Sequence, residues 1–222
     1  MKKISIVVPT FNEEKNIGKF LEEIKKLKLK NYEVIIVDDS FDNTAKVAKS
    51  FMKKLKICGS VIKRFGKRGK GSAIRDGLKL AKGKYIVLID ADLQYPVEKI
   101  PNIVEKLKEY DIVNTKRLRK DPFYRKILGK IFRILVFVLF NIKEETQSTM
   151  RGFRKEVKEK IEFEANSWAW DVEFLYKAKK IGFKSINIPI IYGERKIGKS
   201  KINFLTPFKM FLEILKIRLR LL

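Results

Sequence analysis

The sequence predicts an α/β fold: a mostly parallel sheet flanked by helices, closed by a C-terminal amphipathic helix. Three observations predict it. Short β-branched runs at residues 4–8, 32–37, 56–62 and 84–90 alternate with amphipathic stretches at about 13–29, 43–54 and 71–82, and such strand–helix alternation builds parallel sheets. Polar residues follow the strands at Pro9-Thr10, Asp38-Asp39 and Asp90-Asp92, at the carboxyl ends where open sheets bind ligands. The 222 residues, 45% of them hydrophobic, suffice for one domain with a core of its own.

The opening Met1 to Pro9 has a charged start, but Pro9 breaks its apolar stretch and Glu13 and Glu14 follow. It reads as a first strand and not as a signal peptide. Asn12 or Asn16 is expected to cap the first helix, and Gly69 and Gly71 mark the turn before the third. Cys58, the one cysteine, is expected in the core of the third strand; it permits no internal disulfide, which fits a cytosolic compartment.

The fourth strand runs into Asp90-Ala91-Asp92-Leu93-Gln94. A strand period of two would place Asp90, Asp92 and Gln94 on one side, three hard oxygen ligands suited to Mg²⁺ or Mn²⁺. With no histidine in the chain, oxygen ligation is the available chemistry. Such pairs also occur in surface loops, but the apolar run from Tyr85 to Ile89 argues against a loop here.

The second half changes character. Lys116 to Arg133 holds eight Lys or Arg against Asp121 alone, and the apolar Ile134 to Phe140 follows. That run is far short of the ~20 residues that cross a bilayer. A helix is predicted at Trp170 to Ile181, a strand at Ile186 to Tyr192, then a basic loop Glu194 to Lys201. The last segment opens with Thr206-Pro207, a cap and first helical residue. It sets Phe208, Phe211, Leu212, Leu215, Leu219 and Leu222 against Lys209, Glu213, Lys216 and Arg220. Two readings stay open for it, a helix in a membrane interface and a helix packed on the domain. The net charge of +25 calls for an anionic partner, an anionic membrane, or the lysine usage of a heat-loving organism.

Val7 to Glu14, Val37 to Ser40, Gly69 to Ala73 and Asp90 to Gln94 together resemble the family 2 glycosyltransferases, with their Rossmann-like GT-A fold. Thr146-Gln147-Ser148 with Arg151 and Phe153-Arg154, Trp170 to Tyr176, and Gly198 to Lys201 resemble the branch acting on dolichyl or other polyprenyl phosphates, closer to the glucosyl than the mannosyl enzymes. The resemblance implies an inverting, metal-dependent transfer of a hexose from a UDP-glucose or GDP-mannose type donor to a polyprenyl phosphate. It implies a catalytic domain at 1–202, with a nucleotide-binding half to about 114, followed by the helix at 203–222. It places Pro9, Thr10, Glu13 and Asp39 around the nucleoside, brings Lys70 and Asp90 to the donor, and gives the metal to Asp90, Asp92 and Gln94. Further implied partners are a membrane surface and a separate membrane-anchor subunit, with no nucleic acid, at the cytoplasmic inner face of the cell membrane.

A polyprenyl monophosphate is already anionic and attacks without a base. It needs cations instead; Arg117, Arg125 and Lys126, with Arg195, Lys199 and Lys201, are candidates. Arg117 and Arg125 join Asp92 as the candidate catalytic residues. Three departures from the family pattern stand out: Glu145 for Asp, Thr149 for a usual glycine, and Phe11 for Tyr. A Thr at a glycine position is expected to resist a positive φ and reshape the pocket. Three other classes compete: a basic nucleic-acid-binding protein, a nucleotidyltransferase, and a soluble family 2 enzyme acting on a sugar or protein hydroxyl. Carboxylates at the strand ends disfavour the first, the lack of a glycine-rich first turn the second, and the apolar segments of the second half the third.

Overall fold

The computed structural model describes residues 3–65, 69–118, 123–146, 148–193 and 206–220, with the backbone alone at 123–126, 128, 206–210 and 220. The elements are β1 (Ile4–Thr10), α1 (Glu14–Lys26), β2 (Tyr32–Asp38), α2 (Thr44–Lys54), β3 (Gly59–Lys63), α3 (Lys70–Leu80) and β4 (Tyr85–Leu88). After a 3₁₀ turn at Val97–Lys99 come α4 (Ile100–Lys106), β5 (Ile112–Leu118), α5 (Phe123–Phe140), β6 (Arg151–Arg154), α6 (Lys155–Lys160), α7 (Trp170–Ile181), β7 (Ser185–Ile191) and α8 (Thr206–Arg220).

The strands form one sheet in the order β3-β2-β1-β4-β6-β5-β7. All neighbours are parallel except β6, which opposes both β4 and β5. The expected, mostly parallel sheet is thus found, with one reversed strand that no periodicity announced. Arg151–Arg154 is four residues long and contains Gly152, too short an alternation to read. Glycine is required there, since a Cβ would lie 2.2 Å from Ile103 Cγ2 of α4.

The strands alternate faces with a period of two. Ile6, Val8, Val34, Ile36 and Val87 pack under α1, α2 and α4. Val7, Ile35, Val37, Ile86 and Leu88 pack under α3, α5, α7 and α8. From β1 the chain winds outward to β3 and then returns to the other flank of β1 as β4. The carboxyl ends of β1 and β4 therefore border the crevice where the winding reverses, the ligand site of doubly wound sheets.

Local expectations needed correction in four places. Neither Asn12 nor Asn16 caps α1. Glu13 holds the N-cap position and gives its N–H to Thr44 Oγ1 at 2.9 Å, so the first residue of α2 meets the start of α1. Asn16, inside the first turn, donates to Glu13 Oε2 at 2.7 Å. Cys58 is exposed and not in the core, because β3 begins at Gly59 and is an edge strand. The fourth strand ends at Leu88, so Asp90 to Gln94 form a turn and strand alternation does not reach them. The run Asp111 to Asn114 reads as a strand that Arg117 follows, but β5 continues to Leu118 and Arg117 lies within it.

In the second half, α5 is one helix with Val136 and Phe140 buried. It leaves Ile127, Ile131, Ile134, Phe137 and Val138 exposed. Ile214 and Ile217 dock α8 on the domain, while Leu212 and Leu219 face outward. Among the described residues no helix is long and apolar enough to cross a membrane.

Candidate active site

At the ends of β1 and β2 the polar residues are tied to one another. Asp38 is fully buried and accepts hydrogen bonds from Thr10 Oγ1 at 2.8 Å, Ser40 N–H at 3.2 Å and Lys63 Nζ at 3.0 Å. It holds the turn closed and offers nothing to a ligand. Asp39 meets Arg64 in a bidentate pair, Nε donating to Oδ1 at 2.7 Å and Nη2 to Oδ2. Arg64 also reaches Ser72 Oγ at 2.7 Å and Asp76 at 3.1 Å. It thereby fastens β2 to α3, and each Asp39 oxygen keeps a second lone pair. Pro9 and Thr10 end β1 opposite Val37 and Asp38, and Glu13 is buried beside them.

At the end of β4, Asp90 faces Lys70, whose Nζ lies 3.0 Å from Oδ1 and 3.1 Å from Oδ2. Lys70 also donates to Thr149 Oγ1 and sits 4.5 Å from the centre of the Trp168 ring. Burial works against its charge, but Asp90, Asp171 and Tyr95 outweigh burial and hold its pKa above the ordinary value. Lys70 opens α3, where Gly69 has φ 96°. A Cβ on Gly71 would lie 2.3 Å from the Ala165 carbonyl oxygen, so glycine lets α3 approach the loop that carries Trp168. The Asp92 carboxylate accepts the Gln94 N–H at 3.2 Å, and Leu93 takes φ 60° to make the turn. Gln94 Nε2 donates to the Gly193 carbonyl at 3.1 Å, and Gly193 N–H to the Gln94 carbonyl at 2.8 Å. The end of β4 is so clamped to the end of β7.

Tyr95 and Tyr192 pack edge to face with ring centres 4.9 Å apart. Arg117 lies 5.2 Å from the Tyr192 ring centre and 3.6 Å from Glu145 Oε1. Burial opposes its charge, but Tyr95, Glu145 and Tyr192 keep its pKa raised. Burial pushes the Tyr192 phenol up, and Tyr95, Asp92 and Asp90 push it further. Tyr192 thus feels both aspartates and the arginine. Behind this front, Arg151 is buried with Nε donating to Asn114 Oδ1 at 2.7 Å and Nη1 to Asp171 Oδ1 at 3.0 Å.

Residues 5–162 match the family model described as glycosyl transferase family 2. The chain belongs to that family.

The family 2 chain is 34% identical to dolichol-phosphate mannosyltransferase of Pyrococcus furiosus, over 97% of its own length and 63% of that protein's. It is 32% identical to dolichyl-phosphate beta-glucosyltransferase of Dictyostelium discoideum, covering 99% and 75%. It is 30% identical to an undecaprenyl-phosphate 4-deoxy-4-formamido-L-arabinose transferase of Proteus mirabilis, covering 97% and 67%. The names of these relatives differ in their sugar, so similarity does not select one. Among solved structures it resembles glucosyl-3-phosphoglycerate synthase of Mycobacterium tuberculosis in complex with Mn²⁺, UDP and phosphoglyceric acid, with TM-score 0.77 and 19% identity over 98% and 78% of the two chains. The GT-A fold expected from the motifs is the fold found.

The structure brings Thr10, Glu13, Asp39, Lys70, Asp90, Asp92 and Arg117 to one edge of the sheet. Arg125 and Lys126 fall in the first turn of α5, their side chains outside the described residues; Gln147, Arg195, Lys199 and Lys201 lie outside them altogether. Thr149 does not take a positive φ. Its N–H donates to Tyr95 Oη at 2.8 Å, and Thr149 sits here without left-handed backbone strain. Sequence reasoning missed Arg64, Tyr95, Trp168, Asp171 and Tyr192. Trp168 and Asp171 lie in or beside the tryptophan motif and were within reach; Arg64 carried no signal of its own.

Proposed function

We propose that this family 2 chain transfers a hexose, with inversion, from a nucleotide-diphosphate sugar to a polyprenyl phosphate at a membrane surface. The observation that carries it is the gathering of Asp90, Asp92 and Arg117 about the Tyr95–Tyr192 pair, with Arg117 5.2 Å from the Tyr192 ring centre and both aspartates felt by its phenol. Two anions, the donor diphosphate and the acceptor phosphate, are thereby offered adjacent places. Among the described residues no three carboxylates gather to cage an ion. Asp90 and Asp92, with the Gln94 side-chain amide oxygen, fit the pattern in which Mg²⁺ or Mn²⁺ takes two carboxylates and completes its shell with substrate phosphate and water. When bound, such an ion neutralises the charge that develops on the departing diphosphate.

The chain's own groups account for the rest. Thr10, Glu13 and Asp39 line the nucleoside side, and Arg117 holds the acceptor phosphate, whose oxygen attacks the anomeric carbon as the bond to the diphosphate breaks. No proton has to be removed. Asp39, Asp90, Glu145 and Asp171 each face a cation of the chain, an arrangement unlike the basic carboxylate that a hydroxyl acceptor requires. A hollow of about 280 Å³ lies beside this end of the site, lined by Lys130, Arg133, Ile134, Phe137, Lys143 and Thr146 among others. Glu145, the partner of Arg117, stands between Glu144 and Thr146 of that lining. Its basic rim and apolar wall suit a phosphate that continues into a hydrocarbon chain.

The test is direct. With Mn²⁺ or Mg²⁺ and a panel of UDP- and GDP-sugars, label should enter the lipid phase when polyprenyl phosphate is present; transfer only to free sugars or peptides would refute this reading. Arg117→Ala should raise the KM for polyprenyl phosphate by roughly 10–100-fold, the worth of a charge-assisted pair, and leave the nucleotide Kd within about threefold. Loss of nucleotide binding with normal lipid saturation would move Arg117 to the donor side.

Membrane contact falls to the exposed face of α5 together with Leu212 and Leu219 of α8. Nearby basic residues add roughly 1 kcal/mol each at an anionic surface, which supports a position at the cytoplasmic inner leaflet. Ile131→Gln with Val138→Gln should weaken co-sedimentation with both neutral and anionic liposomes, whereas salt should weaken only the anionic case. Unchanged sedimentation of this variant would remove α5 from the membrane face.

A further inference from the structure

Asp90 already holds a cation that belongs to the chain. Lys70 Nζ sits almost equally far from both carboxylate oxygens, 3.0 and 3.1 Å. It does not arrive there by chance rotation. Its side chain is 9% exposed, its ammonium donates to Thr149 Oγ1, and the Trp168 ring lies against it. Thr149 is itself fixed by its N–H to Tyr95 Oη. The Thr149 hydroxyl therefore helps to place Lys70.

We propose that Lys70, set by Thr149 and Trp168, is a displaceable counter-ion of Asp90 that keeps bare divalent metal off this carboxylate and transfers to the donor diphosphate when metal and diphosphate arrive together. The inference rests on the reading that Asp90 and Asp92 take the metal. A bare divalent ion would have to part the ion pair and leave an ammonium in a nearly buried place beside a second cation, both costly. A metal diphosphate brings anionic oxygens that receive the ammonium in a charge-assisted hydrogen bond. Metal and diphosphate then strengthen each other's binding, and the coupling is reciprocal. Lys70 acts here as a positioning residue, and its signature is metal affinity rather than rate alone.

The experiment is a Mn²⁺ titration followed by the electron paramagnetic resonance of the free ion, without nucleotide and with UDP or GDP. It compares wild type, Lys70→Met, Lys70→Arg, Thr149→Val and Asp92→Ala, with thermal melts confirming the fold. Wild type should bind Mn²⁺ alone at least roughly tenfold more weakly than in the presence of the diphosphate. Lys70→Met should bind Mn²⁺ alone roughly tenfold more tightly than wild type and lose most of the coupling. Lys70→Arg should keep the wild-type pattern, and Thr149→Val should move part of the way toward Lys70→Met. If Asp92→Ala abolishes Mn²⁺ binding while Lys70→Met and Thr149→Val leave the bare-ion affinity as in wild type, the counter-ion role is wrong and the metal site stands. If Asp92→Ala binds Mn²⁺ as wild type does, the metal site itself is wrong.

Discussion

Asp92→Ala should lower sugar transfer by about a hundredfold or more while the protein stays folded. Asp92 sits in the turn after β4, where its carboxylate accepts the Gln94 N–H at 3.2 Å. Losing that bond costs about 1 kcal/mol of local stability, too little to unfold a domain of ordinary stability. On the proposed reading the effect on rate would be larger, because Asp92 would be one of two carboxylates holding a cation that stabilises the leaving diphosphate, a contribution of several kcal/mol. Excess EDTA should reproduce the loss in wild type, and Mn²⁺ or Mg²⁺ should restore it. Full turnover by the variant, or by wild type in EDTA, would falsify the assignment of the β4 turn.

Asp171→Ala should lower Tm by roughly 6–20 °C, from the 3–5 kcal/mol that an uncompensated buried charge costs in a domain of this size. Asp171 lies in the first turn of α7, and Arg151 lies on β6 in the middle of the sheet. Their 3.0 Å pair is nearly solvent-free, at 8% and 1% side-chain exposure, and pins α7 to the sheet. Burial pushes the Asp171 carboxyl pKa up while Arg151 and Lys70 pull it down, so the pair pays for its seclusion. Arg151 also lies against the Phe174 ring, 4.8 Å from its centre. In Asp171→Ala the guanidinium keeps this ring and Asn114 but loses its counter-ion. Arg151→Met with Asp171→Leu should therefore melt closer to wild type than Asp171→Ala does, because an apolar pair removes both desolvation costs. A single variant melting within 2 °C of wild type, or a double variant melting below it, would show that the pair is not what holds α7.

The chain announced most of the architecture. Strands β1, β2 and β4 and helix α7 stand close to where periodicity placed them, and the Thr10, Asp39 and Asp90 neighbourhoods were visible because each adjoins its strand in sequence. β6 was not visible, since four residues with a glycine give no alternation. Arg64 was not visible either. It lies 25 residues from Asp39 in a chain with 51 Lys and Arg, and nothing local separates it from the rest.

What the sequence by itself determined is the alternation of elements, the face each apolar residue takes, and the acidic residues waiting at the strand ends, for these follow from spacing along a chain with periods of two and 3.6. What only the tertiary structure decided is which charge meets which: Arg64 with Asp39, Lys70 with Asp90 and Thr149, Arg117 with Glu145 and Tyr192, Arg151 with Asp171. It also turned Asp90 and Asp92 out of the strand, where alternation would have aligned them. The physical reason is that these partners lie up to 79 residues apart and are joined by the strand order, which brings β4, β6, β5 and β7 side by side regardless of their distance along the chain.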